Sequence, residues 1–160
     1  MKYILIMAFF CLSNLVFGQL NSDKDTLSAN PNYNKELAEK SGGDIFGMKA
    51  YFFVILKTGT NTTTDKDFIN ESFKGHMDNI HQLVEKGKLI IAGPLAKNEK
   101  KYRGIFVLNN IKTMDEARQL MQTDLAIKNG LLDYEIFTWY GSAALPEYLP
   151  FADKIWKTKP

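Results

Sequence analysis

The chain has 160 residues, with 20 Lys and Arg against 18 Asp and Glu and a formal net charge of +2. A balance so near neutral gives no electrostatic reason to expect nucleic acid or an anionic membrane as a partner. The single cysteine, Cys11, lies in an N-terminal apolar run. The remainder therefore has no thiol for a disulfide, a thiolate nucleophile or sulfur-ligated zinc.

Residues 1–18, MKYILIMAFFCLSNLVFG, carry one charge at Lys2, then an apolar run, then Val16-Phe17-Gly18 before Gln19. That is the layout of a secretory signal peptide cut between Gly18 and Gln19. The run is shorter than the roughly 20 apolar residues that cross a bilayer core of about 30 Å. The expectation is an exported protein, periplasmic or secreted, with no membrane attachment after cleavage. Residues 19–47 form a polar spacer, with Asn30-Pro31-Asn32 and Ser41-Gly42-Gly43 as breakers and a short helix in YNKELAEK. Disorder is expected over 19–31. Residues 48–145 are the folded domain and 146–160 a C-terminal tail too apolar to float free.

From Lys49 the pattern becomes regular. KAYFFVIL (Lys49–Leu56) is a β-rich apolar run that predicts a strand covered on at least one face. KTGTNTTT is a loop. Asp65–Lys86 is a helix in which Ile69, Phe73, His76, Ile80 and Leu83 recur as one stripe, and Gly87 stops it. KLIIAGP (Lys88–Pro94) and RGIFVLNN (Arg103–Asn110) are strands flanking a charged turn. Thr113 and Glu116 are spaced as a capping box for a second helix carrying Ala117, Leu120 and Met121. Asp124 opens one further turn, LAIK, closed by Asn129-Gly130. LLDYEIFTWYG is the fourth strand, alternating Leu132, Tyr134 and Ile136 with Asp133, Glu135 and Phe137.

The order β-α-β-β-α-β predicts an α+β fold, the ferredoxin-like plait: a four-stranded antiparallel sheet with two helices on one face. Phe53, Ile91, Phe106 and Ile136 cannot all point at the helices, so the other sheet face also needs cover. A second copy packed sheet to sheet is the simplest cover, and a homodimer is expected.

His76 is the residue that periodicity does not explain. On a 3.6-residue wheel with Ile69 at zero it falls at about −20°, inside the apolar stripe. It is either a core histidine satisfied by a carbonyl or a general acid/base at the end of a pocket. His81, about 140° away, cannot easily share a metal with it and reads as structural or solvated. Asp124 is a helix cap on local grounds. A catalytic role needs it to meet His76, which the sequence does not establish. Gly93-Pro94 is either a plain turn or backbone open to a ligand. Trp139-Tyr140 suits an interface.

The segments GHMDNIHQLVEKGKLIIAGP, YRGIFVLNN, QTDLAIKNGLL and WYGSAALPEYL, in that order and spacing, resemble the YCII-related (YciI-like) domain family, in particular its exported members. The resemblance runs from Lys49 to about Tyr148. The family is similar to the dimeric α/β-barrel proteins such as muconolactone isomerase, which implies the same plait and dimer. It also implies an active site pairing His76 with Asp124, substrate contacts at Gly93 and Pro94, and no cofactor or metal. Relatives often carry proline after the aspartate, where this chain has Leu125.

The activity so implied is acid/base chemistry on a small cyclic or aromatic molecule, of lyase, dehydrohalogenase or isomerase type. One relative acts on a chlorinated hydroxyquinol. The alternatives are a non-catalytic module binding a small molecule and a structural secreted dimer of the same fold.

Overall fold

The computed structural model of the chain describes residues 30–158. The leader 1–18, Cys11 and most of the stretch expected to be disordered lie outside these residues. A turn closed by the Tyr33 N–H donating to Asn30 O leads into α1 (Lys35–Ser41). Asn34 caps this helix through its side chain, and Gly42 ends it in the left-handed conformation. No residue of α1 is buried.

Four strands follow: β1 (Met48–Thr58), β2 (Leu89–Pro94), β3 (Tyr102–Leu108) and β4 (Leu132–Ser142). They form one antiparallel sheet in the order β2-β3-β1-β4. Between them lie α2 (Lys66–Glu85), α3 (Met114–Met121) and the single turn α4 (Leu125–Lys128). This is the α+β ferredoxin-like plait. Its caps are those the sequence encodes. Asp65 accepts from the N–H groups of Asp67 and Phe68 to start α2, and Thr113 accepts from Glu116 N–H to start α3. The reciprocal arm of the box differs by one residue, since the Glu116 carboxylate accepts from Lys112 N–H at 2.9 Å rather than from Thr113.

The strand period of two divides the apolar residues between the faces. Phe52, Val54, Leu56, Phe106, Leu108 and Leu132 join Leu83, Ala117, Met121, Ala126 and Ile127 of the helices in the main core, with Ile136 at its margin. The opposite face carries a smaller cluster, Tyr51, Ile90 and Val107, with Phe53 and Ile91 packed against it. Phe106 and Ile136 thus face the helices, whereas Phe53 and Ile91 face away.

Part of the second face is covered by the chain itself. After β4 the tail makes a 3-10 turn (Leu145–Tyr148) and a short helix, α5 (Leu149–Ala152). Leu145 and Leu149 pack on the smaller cluster, and the Tyr148 hydroxyl donates to Ile90 O. The rest of that face is not covered by the described residues, with Phe137 48% and Trp139 39% exposed.

Phe73, Ile80 and Leu83 of the α2 stripe pack on the main core, but the most buried side of the helix is turned from that stripe. Its buried residues are Ser72, Asn79 and Leu83, whereas Ile69, Phe73 and Ile80 are only half-buried. On the same wheel Ser72, Asn79 and Leu83 centre about 60° from Ile69. The buried face is turned because α2 packs on α4 as well as on the sheet, with Gly75 against Leu125 and polar side chains meeting the residues that flank α4.

Candidate functional site

Three side chains on the turned face of α2 recur at i, i+4 and i+7, and each meets the segment from Thr123 to Asn129. Ser72 donates to Phe68 O and accepts from Asn129 Nδ2 at 2.8 Å. His76 Nδ1 lies 2.6 Å from Asp124 Oδ2. Thr123 Oγ1 lies 2.8 Å from the Asn79 side-chain amide and 2.7 Å from Leu120 O. One hydroxyl proton serves one acceptor, so an Asn79 amide presenting its NH₂ to Thr123 satisfies both contacts. The loop before α2 is tied to the same region: Gly59 N–H donates to Leu131 O, Asn61 N–H to Gly130 O, and Asn61 Nδ2 to Asn129 O.

Asp124 divides its two oxygens between two tasks. Oδ1 accepts from the N–H groups of Ala126 at 2.9 Å and Ile127 at 3.3 Å, which is the N-cap of α4. Oδ2 faces the imidazole. The residue is fully buried, so a free carboxylate would be costly there without these partners. Cap and histidine partner are therefore one residue, and the local reading and the tertiary one hold together.

The imidazole is confined on three sides. Its ring stacks on Phe106 of β3 with centroids 5.9 Å apart at 18°, and Phe73 meets it edge-on at 6.1 Å and 84°. With Nδ1 donating to the carboxylate, the neutral ring keeps its lone pair at Nε2. Among the described residues none hydrogen-bonds Nε2. The side chain is 12% exposed, so it is not sealed in hydrocarbon.

Gly75, beside the histidine, sets the spacing. A Cβ there would lie 2.7 Å from Leu125 Cδ2 and 2.8 Å from Leu125 Cβ. Only a residue without a side chain lets the start of α4 come this close to α2.

The remaining sequence-derived positions sit apart from this pair. Gly93 and Pro94 end the edge strand β2, opposite Ile105 and Gly104. Phe106 pairs with Ala92, so Pro94 shares the helix-side face with the phenyl ring under His76, two residues further along the strand. Gly93 belongs to the opposite face, and space is open where its Cβ would be. His81 is half-buried and takes no part in the cluster. Trp139 packs on Tyr51 and Phe53 on the far face, with centroids 5.6 and 6.5 Å away. Sequence reasoning missed Ser72, Asn79, Thr123 and Asn129. Their signal was the i, i+4, i+7 spacing of Ser72, His76 and Asn79, polar residues that a search for apolar periodicity passes over.

No family model matches the chain, and no curated protein matches it. Among solved structures, the chain is similar to a 5-chloro-2-hydroxyhydroquinone dehydrochlorinase from Burkholderia phenoliruptrix AC1100 in complex with 2,5-dihydroxybenzoquinone. The likeness has 19% sequence identity and a TM-score of 0.38, over 55% of this chain and 92% of that one.

Proposed function

We propose that the chain is a cofactor-free enzyme of the YciI-like kind, in which His76 and Asp124 act as an acid/base pair on a small cyclic or aromatic molecule. The reading rests on one observation: an imidazole partly open to solvent, held at 2.6 Å by a buried carboxylate whose second oxygen is fixed to backbone. Asp124 sets the tautomer and steadies the imidazolium. Nε2 takes a proton from a ring carbon or hydroxyl of the substrate. The electron pair left behind either expels a leaving group from the neighbouring carbon, an elimination, or is reprotonated elsewhere by the same imidazolium, an isomerisation. Acid–base help of this kind contributes about 10²–10⁴ in rate, so turnover also requires the substrate to be held in place beside Nε2. Pro94, on the same sheet face as Phe106, is assigned that supporting role, and Gly93, on the opposite face, is not. The leader-like residues 1–18 support an extension of the proposal, that this chemistry takes place in the periplasm or outside the cell.

The test is a thermal-shift screen of hydroxylated and halogenated aromatic compounds, followed by product analysis for each binder with wild type and His76→Ala. Conversion by wild type that is lost in His76→Ala is the expected result. A binder recovered unchanged from wild type overturns the enzyme reading in favour of a binding module.

A further inference from the structure

The single turn α4 buries Ala126 and Ile127 in the main core. Apolar contacts are non-directional, so on their own they would let so short a helix slide along α2. The carboxylate at its N-cap tolerates no such slide. The contact between Asp124 Oδ2 and His76 Nδ1 is 2.6 Å long, and a displacement of about 1 Å would take it beyond hydrogen-bond range.

Two further contacts join the same two segments, one on each side of that pair. Asn79, on the turn of α2 after His76, meets Thr123, the residue before Asp124, at 2.8 Å. Ser72, on the turn before His76, meets Asn129, the C-cap of α4, at 2.8 Å. Ser72, His76 and Asn79 thus take Asn129, Asp124 and Thr123 in turn. The segments run antiparallel, with a hydrogen-bonded rung on either side of the acid/base pair, and the rungs stand roughly 10 Å apart along α2.

Stability alone does not account for the rungs. Ser72 is fully buried and Asn79 is 8% exposed. Both are weaker helix formers than leucine, and burying them sacrifices their hydration. What directional polar contacts supply, and apolar packing does not, is a single register.

We infer that Asn79 and Ser72, with Thr123 and Asn129, are positioning residues that lock α4 in one register along α2, keeping Asp124 Oδ2 on Nδ1 and the lone pair on Nε2. The consequence for turnover rests on the acid/base reading of His76 and Asp124, whereas the consequence for the tautomer does not. Asn79 is the informative position. Replacing it leaves the Thr123 hydroxyl satisfied, since that group still donates to Leu120 O.

Asn79→Leu is therefore the first variant. Thr123→Ser and Thr123→Val form a matched pair that keeps or deletes the hydroxyl, and they decide the matter if Asn79→Leu does not fold. Imidazole nitrogen shifts of His76 are recorded at alkaline pH on the labelled full chain, with circular dichroism and urea unfolding to establish that each protein is folded. Wild type and Thr123→Ser should carry the proton on Nδ1 alone. Asn79→Leu and Thr123→Val should show a mixture of both tautomers. With a compound that wild type converts, kcat should fall at least about tenfold in these two variants while KM stays within about threefold. Thr123→Ser should match wild type. A mixture already present in wild type or in Thr123→Ser, a pure Nδ1–H tautomer in Asn79→Leu or Thr123→Val, or a loss carried by KM with kcat unchanged would each overturn the inference. A wild type with the pure tautomer that converts no compound overturns the enzyme reading alone, and the tautomers of the variants still decide the register.

Discussion

Gly75 and Leu125 touch where α2 and α4 meet, and the contact leaves no room for a β-carbon on the glycine. In the middle of an ordinary helix, Gly→Ala stabilises by roughly 0.5–1 kcal/mol. Here the new methyl would press on Leu125 Cβ, an atom that cannot swing aside, and would push Asp124 away from His76. Gly75→Ala should destabilise the fold by about 1–3 kcal/mol, the range for overpacking. Urea unfolding measures this directly, and a variant more stable than wild type would refute the account of the contact.

The two oxygens of Asp124 have separable tasks. Asparagine caps helices about as well as aspartate, so Asp124→Asn should keep α4 and lie within about 1 kcal/mol of wild type. Its amide NH₂ would face Nδ1 and invert the tautomer, removing the lone pair from Nε2. Turnover should fall by about 10²–10⁴, as in His76→Ala. Asp124→Ala loses the cap as well, at a cost of about 1–2 kcal/mol, and the bond to the imidazole, about 1.5–3 kcal/mol. Equal stability of the Asn and Ala variants would show that the cap contributes nothing.

Glu116 gives a pH dependence with a defined sign. The Lys112 N–H, then the Lys88 ammonium, hold its carboxyl below the usual carboxylate range. A carboxyl depressed in the folded state adds stability above its unfolded pKa and loses it as pH falls through the folded value. Wild type should therefore melt above Glu116→Gln at pH 7, and the gap should close below about pH 4. A gap that stays constant down to pH 3 would mean that the charge is not what stabilises the start of α3.

Local chemistry made the elements legible. The cap at Thr113, the apolar run of β1 and the alternation in β4 each fall where the sequence places them, and Asp65, expected as the first residue of α2, is its cap. Asp124 was visible as a cap and His76 as an anomaly, because both follow from near neighbours. Their meeting was not visible, since it joins positions 48 residues apart. The turned face of α2 was hidden for a related reason. Apolar periodicity finds the surface a helix offers to a sheet, whereas α2 also spends a face on α4 through Ser72, His76 and Asn79. The tail was recognisably too apolar for solvent, but its seat on Ile90 depends on which strand lies beneath it.

The open part of the second sheet face gives the last prediction. The tail occupies the region over Ile90 and Ile91, leaving the β1–β4 side with Phe53, Ile55, Phe137 and Trp139 in adjacent rows. The register sets Phe53 beside Phe137, and Phe137 is half exposed. A contiguous apolar surface of this kind is unfavourable in water at roughly 25 cal/mol per Å², and two copies face to face would remove it from solvent at both molecules. The chain should elute as a dimer at micromolar concentration. Phe137→Glu should convert it to a monomer of unchanged circular dichroism, since a charge buried without a partner opposes association by several kcal/mol. Light scattering on both proteins decides the matter: a wild type that is monomeric, or a glutamate variant that remains dimeric, would rule out this face as the contact.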